Sequence, residues 1–257
     1  MEEVWTDSHC HLAMAEDAAL LLDRARAEGV RGFVVPGTTR EDSRESVRVA
    51  NEHTDVWAAV GFHPHEAKDC DDEAFAEIET LAEDERVRAI GEVGLDYHYD
   101  HSPRPVQREV LARHMDLARR VDLPLIVHNR ESTGDLLDLV LGEAGRGCRG
   151  ILHSFTESYD VARQLIDRGW WISFSGIVTF RTAEELRETA RRLPAESVLV
   201  ETDTPFLAPV PMRGKTNEPS FVRYIGELLA DLWKIPISDV AAATSANFGR
   251  VFGVELE

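Results

Sequence analysis

Eight short runs rich in β-branched and aromatic residues recur along this chain, and each is followed by a stretch of helical periodicity. The runs are VWTDSHCH (4–11), GFVVPG (32–37), VWAAVGFH (56–63), VRAIGEVGLD (87–96), LPLIVHN (123–129), GILHSF (150–155), WWISFSG (170–176) and SVLVETDTP (197–205). Short apolar runs of this kind read as buried strands. Between them lie DAALLLDRARAEG, SRESVRVANEH, DEAFAEIETLAED, REVLARHMDLARRVD, TGDLLDLVLGEAG, SYDVARQLIDRG and AEELRETARRLP, with apolar positions at three- and four-residue spacing. Gly29 closes the first of these helices and Pro194 ends the last. Two further helices are expected at 219–233 and 236–252. Eight strand–helix alternations without a break in composition predict an α/β fold, a single-domain (β/α)8 TIM barrel over 1–257 with extra C-terminal helices. A doubly wound open sheet is the alternative.

The bulk numbers narrow the class. The 257 residues are 43% hydrophobic, enough for a sizeable core. No apolar stretch approaches a membrane span. The start, MEEVWTDSHCH, has no basic segment followed by an apolar one, so no signal peptide is expected. Cys10, Cys70 and Cys148 are scattered with no CxxC, which points away from a disulfide framework or a cysteine-cage zinc site and fits a reducing cytoplasm. The formal net charge is −19, and Lys68, Lys215 and Lys234 are the only lysines. An ordinary acidic enzyme would explain this charge. A salt-rich cytoplasm explains it better, because screening tames self-repulsion while carboxylates keep the surface hydrated. Such a chain does not attract polyanions in general, so a nucleic-acid substrate must be held by local groups or metals.

Three familiar motifs fail. The GxGxxG at Gly145–Gly150 precedes a strand, whereas a dinucleotide fingerprint follows one. RGKT (213–216) lacks the upstream glycine of a phosphate loop, since Pro209 stands there. GxSxG, the nucleophile elbow, is absent.

Polar residues instead gather at the strand ends. His9 and His11 end the first strand, His63 and His65 follow the third, and Glu92 and Asp96 end the fourth. His128, His153 and Asp203 end the fifth, sixth and eighth. Barrel active sites lie where these ends converge. Imidazoles with carboxylates suit a hard-to-borderline divalent cation: Zn²⁺, Mn²⁺ or Mg²⁺. His9 and His11, two apart on a strand, share a face, while Cys10 faces the other way and packs. Asp7 points inward below His9 as a supporting partner. The ligands suffice for two ions, and two ions need a bridge. No predicted strand end carries a lysine for carbamylation, so Glu92 is expected to bridge. His9, His11 and Asp203 then complete one ion; His128 and His153 complete the other. Two-metal hydrolysis follows, with Asp203 accepting the proton of the attacking water.

These residues carry a family resemblance. DSHCHL, GFHPH (61–65), AIGEVGLDYH (89–98), PLIVHNR (124–130), ILHSFT (151–156), ISFSGIVTF (172–180), VETDTPFLAP (200–209) and PMRGKTNEP (211–219) resemble, in order, blocks of the TatD-family metal-dependent deoxyribonucleases, of the amidohydrolase-like superfamily. The resemblance implies His9, His11, Glu92, His128, His153 and Asp203 as ligands of divalent metal. It implies hydrolysis of DNA phosphodiesters, mostly from the 3′ end, with Mg²⁺, Mn²⁺ or Zn²⁺. It places His63 on a substrate phosphate. Arg130 would bind phosphate or form a structural ion pair; Asp96 and Tyr97 would orient ligands, as would His65. Arg213 and Lys215 would reach a DNA backbone or pin their own loop through Asn217 and Glu218. Thr204 after the metal Asp, and Glu157 after Thr156, depart mildly from the family pattern.

Three functions compete. The first is a cytoplasmic metal-dependent 3′–5′ exodeoxyribonuclease. The second is a related barrel hydrolase acting on a small ester, amide or aminoacyl bond; it gains from the modest aromatic content, which shows no run suited to stacking bases. The third, an idle binding scaffold, predicts missing ligands, and all six are present. No organic cofactor and no membrane partner is expected.

Overall fold

The computed structural model describes residues 3–256. Its eight strands are β1 (Trp5–Asp7), β2 (Val30–Pro36), β3 (Val56–Val60), β4 (Val87–Asp96), β5 (Leu125–Arg130), β6 (Gly150–Leu152), β7 (Trp171–Phe174) and β8 (Val198–Val200). They form one sheet in chain order, β1 to β8. The paired strands run parallel, as in Ile126 beside Ile151 and Ser173 beside Leu199. The nine helices of the described residues are α1 (Ala18–Ala27), α2 (Arg40–Glu52), α3 (Asp72–Leu81), α4 (Arg104–Val121), α5 (Thr133–Val140), α6 (Tyr159–Ile166), α7 (Glu184–Arg192), α8 (Val222–Trp233) and α9 (Ile237–Phe252). One helix follows each of the first seven strands, and two follow the eighth. The expected α/β class and the (β/α)8 TIM-barrel order are therefore present. No helix of the described residues is long and apolar enough to cross a membrane.

Local chemistry sets the helix starts. Asp17, Thr39, Asp71 and Ser158 each accept a hydrogen bond from the backbone N–H three residues on, opening α1, α2, α3 and α6. Gly253, at φ 64°, terminates α9 in the left-handed conformation that glycine adopts without strain.

The chain divides into two compact units, 1–34 with 154–257, and 35–153. In the first unit the fully buried Trp5, Phe33, Phe174 and Phe248 build the core. Gly226 on α8 lies against the Trp5 ring so closely that a Cβ would stand 2.2 Å from it. The first and last strands meet within this unit: Ser8 N–H donates to the Val200 carbonyl at 3.1 Å. In the second unit Ile78, Ile90, Leu95, Leu111 and Met115 are fully buried.

Several strands are shorter than expected. β1, β6 and β8 have three residues each. β6 and β8 stop where the polar residues begin, at His153 and Glu201, whereas β1 already carries Thr6 and Asp7. Ser154 and Asp203 adopt positive φ, 41° and 58°, which turns the chain out of the sheet. β4, by contrast, runs over all ten residues expected of it.

Candidate metal centre

Within the first unit, three donor atoms converge just beyond β1 and β8. β1 ends at Asp7 and the chain bends at Ser8, but it rejoins the sheet at Cys10, which pairs with Thr204 in an isolated parallel bridge. His9 and His11 therefore keep a common side, with their Nε2 atoms 3.1 Å apart. Asp203 Oδ1 lies 3.4 Å from His11 Nε2 and 3.8 Å from His9 Nε2. Asp203 sits in the left-handed region, uncommon for a residue with a side chain, and its N–H donates to the His9 carbonyl at 2.9 Å. Cys10 points away: it is fully buried, with Sγ 3.5 Å from the Val34 carbonyl. Burial, then the charges of Asp7, Glu201 and Asp203, hold its thiol pKa well above the usual value.

Asp7 is fully buried and supports this group through the backbone. It accepts from the Thr202 N–H (2.9 Å), the Thr202 hydroxyl (2.5 Å) and the His9 N–H (3.3 Å). Burial lifts its pKa to about 8, against the lowering effect of those bonds.

Within the second unit, three imidazoles surround one carboxylate oxygen. Glu92 Oε1 lies 2.8 Å from His153 Nε2, 3.1 Å from His128 Nδ1 and 3.4 Å from His63 Nε2. Glu92 is on β4, His63 follows β3, His128 is on β5, and His153 follows β6. Gly94 makes the close approach of β4 and β5 possible. Its φ is 148°, and a Cβ there would stand 2.1 Å from the His128 carbonyl oxygen.

Asp96 supports the same group from below. Its Oδ2 lies 2.9 Å from His65 Nε2 and 3.3 Å from His128 Nε2. Its Oδ1 accepts from the N–H groups of His98 and Tyr99. Burial alone would raise the Asp96 pKa, but these bonds together depress it below the usual carboxylate range. For His128 burial pulls the pKa down, yet the bonds to Asp96 and Glu92 outweigh it and the net shift is upward. His63 goes the other way: burial drives it down to about 4, only partly offset by Glu92, so it is neutral near pH 7. His63 Nδ1 accepts the His65 backbone N–H at 3.2 Å, so the proton of the neutral ring sits on Nε2. That N–H points at Glu92, as a donor.

The donor chemistry fits divalent metal. His9, His11 and Asp203 form one group, and His63, Glu92 and His128 another, with ligand atoms within 4.8 Å of one another in each. Neutral imidazole and carboxylate are the ligands of Zn²⁺ or Mn²⁺ sites. An Asp96-held Nε2–H on His128 is the carboxylate–histidine arrangement that orients a metal-binding ring.

The remaining expected residues fall in different places. Arg130 is exposed, with its guanidinium 4.7 Å from the Tyr99 ring centroid. Arg213 and Lys215 are exposed, and Arg213 lies 4.0 Å over the Phe180 ring. Asn217 pins that loop, donating to the carbonyls of Thr202 and Phe206. Tyr97 turns away from the ligands: its hydroxyl donates to Asp135 of α5 at 2.6 Å. Two features are not among the residues expected from the sequence. Glu201 is fully buried and accepts the Ser154 N–H at 2.8 Å. Tyr99 and His101 place rings beside His65, at 5.4 and 4.6 Å. The run YHYDH directly after β4 is the available signal for the latter.

Known proteins share this arrangement of elements along the whole chain. The family model described as TatD related DNase matches residues 6–253. YabD of Bacillus subtilis, named an uncharacterized metal-dependent hydrolase, is 39% identical over 96% of this chain and 98% of its own length. A protein of Erwinia tasmaniensis named 3′-5′ ssDNA/RNA exonuclease TatD is 32% identical, covering 93% of this chain and 95% of its own. The crystal structure of YJJV, a TatD homolog from Escherichia coli, matches with a TM-score of 0.92 at 28% identity, over 99% of this chain and 100% of that one. With the fold, the histidine–carboxylate groups and these relatives in agreement, the chain belongs to the TatD family of metal-dependent hydrolases.

Proposed function

We propose that the protein is a metal-dependent phosphodiesterase that removes nucleotides from the 3′ end of DNA, with two divalent ions. The observation that carries this reading is the set of three imidazole nitrogens within 3.4 Å of Glu92 Oε1. The name of the Erwinia relative supports the substrate class.

His9, His11 and Asp203 would hold one cation, and Glu92, His128 and His153 would hold the other. When bound, divalent cations supply Lewis acidity, easing deprotonation of water and stabilising charge on phosphoryl oxygens. The chain's own residues do the rest. Asp203 accepts the proton of the attacking water at its carboxylate. With Glu92 engaged by a cation, the Nε2–H of neutral His63, which faces Glu92 Oε1 at 3.4 Å, would be available to a non-bridging phosphate oxygen. Arg130 supplies a cation at the edge of the second group, while Arg213 and Lys215 supply exposed positive charge in an otherwise acidic chain.

The test uses metal-depleted protein at high salt, given Mg²⁺, Mn²⁺ or Zn²⁺, with single-stranded DNA, duplex DNA, an aryl ester and an aminoacyl substrate. Metal-dependent release of 5′-mononucleotides supports the reading. Intact nucleic acid alongside rapid ester hydrolysis rejects it in favour of a small-ester hydrolase.

A further inference from the structure

A held aromatic ring stands in solvent beside the second donor group. Tyr99 is 51% exposed. It belongs to the loop after β4, which is tied down at several points. Its own N–H bonds Asp96 Oδ1 at 2.9 Å. Gln107 Nε2 donates to the carbonyls of Asp96 and Ser102, and Arg104 both pairs with Asp100 and lies over the Tyr97 ring. The ring is therefore presented on a fixed backbone, and its anchor, Asp96, is the carboxylate that holds His65 and His128.

The ring is met edge-on by the imidazoles of His98, His65 and His101, at 4.7, 5.4 and 5.5 Å, and its remaining surface is open to solvent. The Arg130 guanidinium lies 4.7 Å from its centroid. His101 meets it edge-on at 5.5 Å and stacks on His65 at 4.6 Å with planes 15° apart. His65 in turn meets His63, the phosphate donor proposed above, at 4.3 Å. The nearby carboxylates are already engaged: Glu131 with His98, and Asp100 with Arg104. In a chain of net charge −19, this spot combines aromatic faces with an unburied cation. Single-stranded nucleic acid is held by that pairing, because every base has a π-face and every nucleotide a phosphate.

We propose that Tyr99, backed by Arg130 and flanked by His101, seats a nucleobase of the strand being cut. This rests on the phosphodiesterase reading, and it goes further by assigning recognition to the base as well as the phosphate. It also answers the modest aromatic content of the sequence: the seat needs one ring, rigidly placed, and no run.

Two measurements test it on the full-length, Mg²⁺-loaded protein with the Y99F and Y99L variants. Y99L keeps an apolar side chain and removes the π-face; Y99F keeps the face and removes the hydroxyl. The first measurement is quenching of 2-aminopurine deoxyribonucleoside 5′-monophosphate, which has no phosphodiester to cut. Wild type and Y99F should quench it, and Y99L should bind it at least about tenfold more weakly. The second compares cleavage of oligonucleotides whose 3′-terminal nucleotide carries a base or is abasic. Wild type and Y99F should prefer the base-bearing end by about tenfold, mainly through KM, and Y99L should lose most of that preference. Cleavage and quenching that are equal in wild type and Y99L overturn the seat and leave the phosphodiesterase reading standing. Tyr99-dependent quenching without cleavage of either oligonucleotide keeps the seat and overturns the phosphodiesterase reading.

Discussion

Asp96 Oδ2 lies 3.3 Å from His128 Nε2, while the other ring nitrogen of His128 faces Glu92 at 3.1 Å. One carboxylate thus sets the orientation of a ring whose far side belongs to the donor group. Supporting contacts of this kind typically account for about 10–100-fold in metal affinity. Asp96→Asn keeps the shape and the acceptor for the His98 and Tyr99 N–H groups but removes the charge. The Mn²⁺ concentration giving half-maximal activity should rise about tenfold or more. An unchanged Mn²⁺ dependence would show that Asp96 only holds the loop.

His114 gives a pH dependence separate from the donor groups. It is fully buried on α4, its Nδ1 donates to the Val110 carbonyl at 2.7 Å, and the rings of Phe62 and Phe75 lie beside it. Burial pushes its pKa down to about 4. The unfolded chain takes up this proton below about pH 6.5 and the folded chain does not until about pH 4. Stability from this group is therefore full above about pH 6.5 and falls as pH drops towards 4, by roughly 3 kcal/mol in all. Denaturant melts of wild type and His114→Leu across that window should show the wild type losing more stability. Parallel pH profiles would contradict the assignment.

Net charge of −19 predicts a salt requirement. The melting temperature should rise from low salt to molar KCl as screening relieves repulsion among the carboxylates. Equal stability across that range would make this an ordinary acidic enzyme.

The β/α alternation is legible in the sequence because parallel strands buried on both sides read as continuous apolar runs, and β4 extends over its full expected length. The short strands β1, β6 and β8 read as longer than they are. The residues at 8–11, 153–155 and 201–205 continue the extended look of the sequence, while positive φ at Ser154 and Asp203 takes the backbone out of the ladder. The opposed roles of His9 and His11 against Cys10 follow from side-chain alternation, and the 3.1 Å between the two Nε2 atoms and the buried Sγ of Cys10 fit that reasoning. Tyr97 misleads because a tyrosine beside Asp96 looks like a ligand partner. Its actual partner, Asp135, is 38 residues away, and only the fold brings them together. The same holds for Tyr99: its neighbours His65, His101 and Arg130 come from three separate segments.

The most direct test of the central claim is a Mn²⁺ titration of metal-depleted protein, with bound metal and nucleotide release from single-stranded DNA measured on the same samples. Activity should rise with occupancy and level off at two ions per chain, and Glu92→Ala should lower occupancy and abolish release. Full occupancy with the DNA left intact, or nucleotide release that persists without bound metal, would contradict the account.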